Sequence, residues 1–340
     1  MNSRHILHTG LQRCYDETGT EIDCVGTGQD AETGTGLAAS GQRFEEISQG
    51  LVEDTLTGLI WTKSGSQFEF PVSWGESLAL IDEMNSGNEF GSCDWRLPNR
   101  RELRSLVDHA RKNPALPGDH PFVDVNLGWY WTSTTAARNQ AYAWYLHFEG
   151  GRMFYGNKKD FYWIWPVAGT SSVLPRTGDI FCGQHDSGNS DKRLGTDGCL
   201  RSGNPWPKPR FQVQADKVLD GLTGLAWYRG DAFAQQLFTW SESLCAVREF
   251  AGRTGCPWRQ PTINELESLV DASRYNPALP REHPFSVDKN GFWSSTTSGY
   301  ERDWSYVLYM DKGAVGVGYK QNRDFYLWPV SSSRKNEDLT

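Results

Sequence analysis

The seven cysteines are the residues of this chain whose types and spacing most clearly suggest a chemical role. Three pairs lie close together in sequence, but none has the CxxC or histidine-rich spacing of a zinc site. Local disulfides are therefore the expected chemistry, and these form in oxidising compartments. We predict the bridges Cys14–Cys24, Cys182–Cys199 and Cys245–Cys256, with Cys93 left as a free thiol.

Motifs that would indicate an enzyme are missing from the sequence. It contains no GxSxG, HExxH or P-loop pattern, and no GxGxxG that opens a helix. Cys93 could act as a nucleophile, but no histidine–aspartate constellation accompanies it, so a structural role is favoured. We predict a non-catalytic protein without a cofactor or metal site, except that the acidic stretch 119–126 could hold a structural calcium ion.

The best candidates for ligand contacts are aromatic, amide and charged residues late in each half of the chain. They differ between the two halves, and binding residues usually lie in loops on a fixed scaffold. Such a mixture suits a sugar or a protein surface, and the alternative is a solvated rim without a ligand. The predicted ligand-binding residues are Arg138, Asn139, Tyr142, Tyr155, Lys158, Lys159, Tyr300, Arg302, Asp303, Tyr319, Lys320 and Arg323.

These candidate residues lie within an internal sequence repeat. SWGESL at 73–78 matches TWSESL at 239–244, the segment 94–122 matches 257–285, and YWTSTT at 130–135 matches FWSSTT at 292–297. Two long copies indicate two domains rather than a solenoid. We expect a first domain over 1–170 that includes the N-terminal disulfide flank, a second over 171–334, and a tail over 335–340.

Each copy shows the pattern of a mixed domain. LTGLIW predicts a strand, and WGESLALIDEMN has apolar residues at helical spacing, as has its twin WSESLCAVREFA. Capping boxes Asn99–Glu102 and Thr262–Glu265 begin a second helix, which we expect to run to the Asn-Pro pairs at 113–114 and 276–277. Antiparallel strands with hairpin turns at 150–151 and 312–313 follow, which gives an α+β fold.

Several residues that recur in both copies are expected to be structural. Arg96 and Arg259 are expected to pair with Asp108 and Asp271, and the STT hydroxyls are expected to satisfy backbone groups. Tryptophans at matching places are expected to fill the cores. These are Trp61 and Trp227, Trp74 and Trp240, Trp95 and Trp258, Trp131 and Trp293, and Trp144 and Trp304.

Charge and hydropathy narrow the range of partners and compartments. The net charge is −8, and neither half is basic, so nucleic-acid binding is disfavoured. No apolar run is long enough to span a membrane. Residues 1–30 lack the apolar core of a signal peptide, so an exported form would need a leader ahead of this sequence. With the cysteines, we expect a secreted, periplasmic or cell-surface protein.

The order of TGLxW, WxESL, WRLPNRREL, STT and WPV resembles the DUF1566, or Lcl C-terminal domain, family, in two tandem copies over about 50–168 and 216–331. The resemblance implies two C-type-lectin-like domains, related to formylglycine-generating enzymes, in a bacterial cell-surface module. A family member in an adhesin binds sulfated glycans, which is not carried over here because this chain is acidic. The cysteine pair that binds copper in those enzymes has no counterpart, since no cysteine follows Cys256.

Residues and resemblance together predict a non-catalytic extracellular binding or adhesion protein. It would recognise a glycan or a protein surface through the late-strand loops, either alone or as a homo-oligomer. The alternative is a structural subunit of an envelope or filament assembly. An unrecognised enzyme is the third and least favoured interpretation.

Overall fold

The computed structural model of this chain describes residues 5–182, 195–233, 235–287 and 289–332, so the expected tail over 335–340 lies outside the described residues. Two compact units divide the chain. The first-repeat unit comprises Ala38–Pro205 with Asp271–Tyr275, and the second-repeat unit comprises Trp206–Val270 and Asn276–Thr340 with Met1–Leu37. Both units are mixed α/β, rich in sheet with few helices.

The elements are numbered along the chain. The strands are β1 (Cys14–Tyr15), β2 (Glu21–Ile22), β3 (Phe44–Ser48), β4 (Leu51–Asp54), β5 (Leu59–Thr62), β6 (Trp129–Thr135), β7 (Tyr142–His147), β8 (Arg152–Asn157), β9 (Val167–Ala168), β10 (Phe211–Gln214), β11 (Lys217–Asp220), β12 (Leu225–Tyr228), β13 (Gly291–Thr297), β14 (Trp304–Tyr309), β15 (Ala314–Tyr319) and β16 (Val330–Ser332). The helices are α1 (Asp30–Thr33), α2 (Trp74–Ser86), α3 (Arg100–Ser105), α4 (Asp197–Leu200), α5 (Trp240–Thr254) and α6 (Ile263–Ser268), and a 3-10 turn spans Glu89–Gly91.

Each repeat contains the same two antiparallel sheets. In the first-repeat unit these are β3-β4-β5-β9 and the meander β6-β7-β8. In the second-repeat unit they are β10-β11-β12-β16 and the meander β13-β14-β15. The predicted hairpin turns join the strands of both meanders.

The strand register shows that one predicted equivalence between residues of the two repeats is wrong. Trp131 lies opposite Tyr145 in the first meander, and Trp293 lies opposite Val307 in the second. Because successive residues of a strand alternate between its faces, this register makes Tyr306, rather than Trp304, the equivalent of Trp144. Moving the alignment of two strands by two residues leaves each side chain on the same face of the sheet. The sequence pattern alone therefore did not reveal the misalignment.

The helices begin where the sequence predicts. Capping boxes formed by Ser73 and Thr239 start α2 and α5, and Asn99 and Thr262 cap α3 and α6. The shorter helices α3 and α6 end much earlier than expected, however, at Ser105 and Ser268. Beyond α3 the chain turns back on itself, and Asp108 donates its N–H to the carbonyl of Ala115 instead of continuing the helix.

The expected pairing of Arg96 with Asp108 is also wrong. Arg96 binds Glu102 at 2.7 Å, and Arg259 binds Glu265 at 2.5 Å. Each glutamate is the third helical residue of a capping box, so the same carboxylate caps the helix and neutralises the arginine. The Asp108 carboxylate instead accepts the N–H of Ala110.

Tryptophan rings fill the centre of each unit. Trp61, Trp131 and Trp165 are fully buried in the first-repeat unit. In the second-repeat unit Trp227 and Trp293 are fully buried. The prediction that recurring tryptophans pack in the core is therefore confirmed for Trp61, Trp131, Trp227 and Trp293.

Two of the three predicted disulfides are present, Cys14–Cys24 and Cys182–Cys199, and Cys93 is an exposed free thiol as predicted. The third prediction is wrong, because Cys245 and Cys256 are both free. Cys245 lies on α5 and Cys256 lies beyond its C-terminal end. A helix rises about 1.5 Å per residue, so the intervening chain holds their Cα atoms more than ~10 Å apart. A disulfide needs a separation below about 7 Å.

A small disulfide-closed module accompanies each repeat. We call residues 5–37 the N-terminal module, and residues 171–182 with 195–205 the middle module. A parallel bridge closes each of them, Leu7 with Leu37 and Pro175 with Asn204. The N-terminal module belongs to the second-repeat unit and the middle module to the first-repeat unit, whereas the boundary expected at 170/171 would place them the other way round.

Candidate functional site

An open surface cleft lies in the second-repeat unit. Aromatic side chains dominate its lining, and two cationic residues accompany them. The lining consists of Tyr228, Arg229, Gly230, Phe233, Phe285, Ser286, Val287, Lys289, Phe292, Tyr326, Leu327, Trp328 and Pro329.

Three packed rings form the floor of the cleft. Trp328 contacts Phe285 edge-on at a centroid distance of 4.9 Å and Phe292 at 5.1 Å. The Trp328 indole N–H donates to the carbonyl of Tyr228 at 3.0 Å, which holds β12 against the last strand. A floor with this packing is rigid, so little conformational entropy is lost when a ligand is bound.

The wall of the cleft is built from Tyr228 and Tyr326. The Tyr228 ring packs against Phe250 at 4.9 Å, and Gly230 lies so close to its phenol that a larger residue there would displace the ring. Burial raises the pKa of Tyr228, so its hydroxyl stays protonated at neutral pH. On the other side, the ammonium group of Lys289 lies 5.3 Å from the centre of the Tyr326 ring.

Two cations line the cleft, while the carboxylates of Asp216 and Asp231 lie near the Tyr228 hydroxyl. Arg229 and Lys289 contribute two cations, and the described residues that line the cleft include no carboxylate. The Arg229 side chain is exposed at the rim. Flat aromatic faces bind apolar ring surfaces, and cations bind carboxylate or sulfate groups. The cleft therefore suits a ring-shaped ligand with a negative charge.

The sequence analysis did not identify this cleft. Its floor residues belong to the repeated HPF and WPV motifs, and the equivalent Phe122 and Trp165 of the first-repeat unit pack together at 4.9 Å in the core. The signal lay in a difference between the repeats. Tyr228 follows Trp227 where the polar Thr62 follows Trp61, and a large ring at the end of a strand pointed to a surface feature.

The predicted ligand residues of the first repeat lie around the turn between β6 and β7 and along the adjoining part of β8. Arg138 and Asn139 are exposed in the turn between β6 and β7, where the Asn139 side chain accepts the N–H of Ala141. Tyr142 and Tyr155 pack against each other edge-on at 6.0 Å. The Asn139 carbonyl accepts the N–H of Tyr142, so the turn and the two tyrosines are neighbours, and their role in binding stays a prediction.

The two predicted lysines of the first repeat differ in environment. Lys159 is exposed. Lys158 is half-buried, with its ammonium group 3.8 Å from the centre of the Trp74 ring and 3.0 Å from the hydroxyl of Thr135. Burial lowers the pKa of Lys158 to about 8, while the nearby Asp179 opposes that shift.

Three of the predicted residues in the second repeat contact the N-terminal module. The Arg302 guanidinium lies 4.8 Å from the centre of the Tyr15 ring, and the backbone of Asp303 lies against Gly19 of the module. The Lys320 ammonium group is buried and donates to the carbonyl of Asp16 at 3.0 Å. Lys320 is therefore enclosed by the module, whereas the Arg302 side chain stays exposed.

The remaining predicted residues of the second repeat lie apart from the cleft lining. Tyr300 is 39% exposed, and Tyr319 packs against Trp304 at 5.5 Å. Arg323 forms an ion pair with Glu242, the capping residue of α5.

A buried aspartate fastens the N-terminal module to the second repeat. Asp30, the first residue of α1, accepts a hydrogen bond from the hydroxyl of Thr296 at 2.5 Å. The Thr296 hydroxyl in turn accepts the N–H of Ile263, so β13 and α6 are tied to the same carboxyl group. Burial raises the pKa of Asp30 to about 6, although its hydrogen bonds with Thr296 and Thr9 oppose that shift.

The first-repeat unit contains the same arrangement, which we call the Asp–Thr latch in both units. Asp197, the first residue of α4, accepts hydroxyl hydrogen bonds from Thr134 at 2.8 Å and Thr177 at 2.5 Å. Burial raises its pKa, and the neighbouring Asp179 raises it further. The STT hydroxyls therefore serve two purposes, because they bind a module as well as backbone groups.

Neither metal ligands nor membrane-spanning helices were found in the part of the chain that the structure describes. No group of three or more histidine, cysteine, aspartate or glutamate side chains there could hold a metal ion. The calcium ion considered for 119–126 stays a prediction. No described helix is both long and apolar enough to cross a bilayer.

Two sheet-rich repeats, each latched to a disulfide-closed module, define a class of tandem-repeat protein of the disulfide-containing, extracellular type. More specifically, the model of the Lcl C-terminal domain matches residues 50–168 and 216–331, and the chain belongs to that family. Both modules lie outside the matched segments. Among curated proteins, none matches the chain significantly.

Proposed function

We propose that this protein is a non-catalytic binding protein of the bacterial cell surface that recognises an acidic saccharide through the cleft of the second-repeat unit. The observation that carries this proposal is the combination of an aromatic floor and wall with Arg229 and Lys289 and no described carboxylate. A sugar ring would lie against the half-buried ring of Tyr326. Its carboxylate or sulfate group would bind the two cations.

The environment of the ionisable residues supports a non-catalytic role. Three groups with strongly perturbed pKa values, Asp30, Asp197 and Lys320, are buried between a module and a repeat. Perturbed groups at an active site face a cleft that admits substrate. Here they bind threonine hydroxyls and backbone carbonyls, so they serve to hold the modules.

The family and the disulfides support the finer points of the proposal. The strand–helix–helix–meander order of each repeat is compatible with a C-type-lectin-like fold, which commonly presents ligand sites at the surface. Disulfides at Cys14–Cys24 and Cys182–Cys199 favour an oxidising location outside the cytoplasm.

Isothermal titration with trigalacturonate and with its methyl ester tests the proposal, because esterification removes the negative charges and leaves the sugar rings unchanged. We expect the acid to bind at least about tenfold more tightly than the ester at low salt, since each charge-assisted contact contributes about 1–3 kcal/mol. The double variant Arg229→Ala/Lys289→Ala should lose that preference. Higher salt should weaken binding of the acid.

Lys63 provides a matched control. It occupies the position of Arg229 in the first repeat but forms an ion pair with Glu46 at 2.6 Å. Lys63→Ala should therefore leave trigalacturonate binding unchanged. Equal binding of acid and ester, or undiminished binding by the double variant, would refute the proposed site.

A further inference from the structure

The N-terminal module docks on a repeat that is remote from it in the sequence. The chain runs directly from the module into the first repeat, yet the module belongs to the second-repeat unit. The middle module, by contrast, docks on the repeat that directly precedes it. An element that passes over its sequence neighbour to reach a distant docking surface has the connectivity of a domain-swapped element, because the same surface on another copy is equally complementary to it.

The surface of the second repeat that receives the module makes mostly polar contacts. The Asn264 side chain donates to the carbonyl of Leu7 at 2.9 Å, and the Ser241 hydroxyl donates to the Glu17 carboxylate at 2.8 Å. Contacts of this polar kind are typical of interfaces between separate domains. We define the docking surface as the residues that make these contacts, Ser241, Asn264, Thr296, Arg302 and Lys320.

The second repeat has an apolar core cluster to which the module does not contribute. The cluster includes Trp240 and Val247 of α5 and Trp293 of β13, and none of its described members lies within residues 5–37. Burial of apolar side chains is the dominant favourable contribution to folding. We therefore expect the second repeat to stay folded when the module leaves the docking surface.

The N-terminal module is in turn held together by contacts of its own. The disulfide between Cys14 and Cys24 closes it covalently. The Gln29 side chain accepts the N–H of Tyr15 at 3.0 Å and donates to the carbonyl of the same residue at 2.9 Å. A parallel bridge also joins the two ends of the module. The module can therefore leave the docking surface as a unit that keeps these contacts.

A short exposed segment connects the module to the first repeat. Residues 38–42, AASGQ, form neither helix nor strand, and all of them except Ala39 are exposed. Glycine and other small residues make a linker flexible. The segment before the second repeat, PWPKP at 205–209, is rich in proline and therefore stiffer. The flexible linker thus belongs to the module that docks far from its sequence neighbour.

We propose that the N-terminal module exchanges between copies of this chain, so that the module of one copy occupies the docking surface of a second copy. The exchanged and the closed forms bury the same contacts, so concentration decides between them. A short flexible linker provides an effective concentration on the order of 1 mM, so closure within one chain dominates in dilute solution. Exchange competes where copies are crowded to a similar concentration, and it joins them head to tail.

The exchange does not depend on saccharide binding. The docking surface shares no residue with the lining of the cleft, so copies that are joined through their modules keep their clefts accessible to ligand. Joined copies would therefore bind a surface that carries many ligands with the avidity of several sites.

Two full-length variants with complementary defects test the exchange. Asp30→Lys places a cation where the Thr296 hydroxyl donates, so the module of this variant is defective while its docking surface is intact. Lys320→Glu replaces the donor to the Asp16 carbonyl by an acceptor, so the docking surface is defective while the module is intact. Each variant alone should sediment as a monomer. An equimolar mixture at about 0.1 mM should form dimers, since one intact module then meets one intact docking surface.

Lys159→Glu provides the matched control. Lys159 is exposed, so this variant can still dock its own module, and its mixture with Asp30→Lys should form about tenfold less dimer. Thermal unfolding followed by tryptophan fluorescence reports whether each variant is folded. A mixture of folded Asp30→Lys and Lys320→Glu that stays monomeric would overturn the exchange. Association of either variant alone would also contradict it, because neither alone has both an intact module and an intact docking surface.

Wild-type protein provides a second measurement that does not depend on the folding of any variant. Isotopically heavy and light protein, incubated together to equilibrium at about 1 mM, should form mixed dimers that native mass spectrometry detects. At about 10 µM the share of mixed dimers should fall to on the order of 1%, because closure within one chain then dominates. Absence of mixed dimers at the higher concentration would overturn the proposal.

Discussion

Asp30 and Thr296 are 266 residues apart in the sequence, yet the Thr296 hydroxyl donates a 2.5 Å hydrogen bond to the Asp30 carboxyl group. This contact joins the N-terminal module to the second repeat. Asp197 and Thr134 make the equivalent contact between the middle module and the first repeat. The duplication therefore includes a module and its latch, beyond the segments that the family model matches.

Removal of the latch carboxylate should loosen the N-terminal module. Asp30→Ala leaves the buried hydroxyls of Thr296 and Thr9 without their acceptor, which typically costs about 1–3 kcal/mol. We expect lower stability in denaturant unfolding and faster hydrogen exchange at Tyr15, whose N–H bonds the Gln29 side chain inside the module. Asp23→Ala alters an exposed carboxylate of the same module and should have little effect; equal effects of the two variants would contradict the latch.

The same aspartate should make stability depend on pH. Burial raises the pKa of Asp30 from 3.8 to about 6, so between these values the folded protein binds more protons than the unfolded chain. Stability is therefore fully present below about pH 3.8 and falls as the pH rises through about 6. Thermal unfolding of wild type and Asp30→Asn across this range measures the effect, and the variant should show the smaller fall. Parallel curves would show that Asp30 does not titrate as described.

The buried lysine beneath the module should act in a different pH range. Burial lowers the pKa of Lys320 from 10.5 to about 7, although Asp16 and Asp303 oppose the shift. Between these values the unfolded chain binds more protons, so stability should rise as the pH increases from about 7 toward 10. Lys320→Met should flatten this rise, whereas Lys159→Met, at an exposed lysine, should not. Unfolding temperatures at pH 7 and pH 9 provide the comparison.

The cysteine assignment predicts three reactive thiols in the denatured, unreduced protein. Cys93, Cys245 and Cys256 are free, and the other four cysteines form two disulfides. Titration with a thiol reagent should therefore give three equivalents, and alkylation followed by peptide mapping should label these positions. A result of one equivalent would indicate a disulfide between Cys245 and Cys256. A result of seven equivalents would contradict both disulfides.

Features set by neighbouring residues could be predicted from the sequence. The capping boxes that start α3 and α6 require only residues three positions apart, and both formed at Asn99 and Thr262. The turns of both meanders followed from glycine and from alternation of apolar residues. Repetition of Trp131 and Trp293 indicated core positions, and both are fully buried.

Features that depend on distant contacts could not be predicted in this way. Closeness in sequence suggested a bridge between Cys245 and Cys256, but the rise of α5 separates them. Lys320 is a residue type that often contacts ligands. It is nevertheless buried beneath the N-terminal module, which lies at the other end of the sequence. The cleft was not predicted because its floor rings, Phe285 and Trp328, belong to motifs repeated in both halves and are buried like the equivalent Phe122 and Trp165.

A crystal structure of the protein with trigalacturonate tests the central claim most directly. The account predicts one uronate ring against Tyr326, with its carboxylate within hydrogen-bonding distance of Arg229 or Lys289. Trigalacturonate bound at another surface, with the cleft empty at saturating concentration, would contradict it.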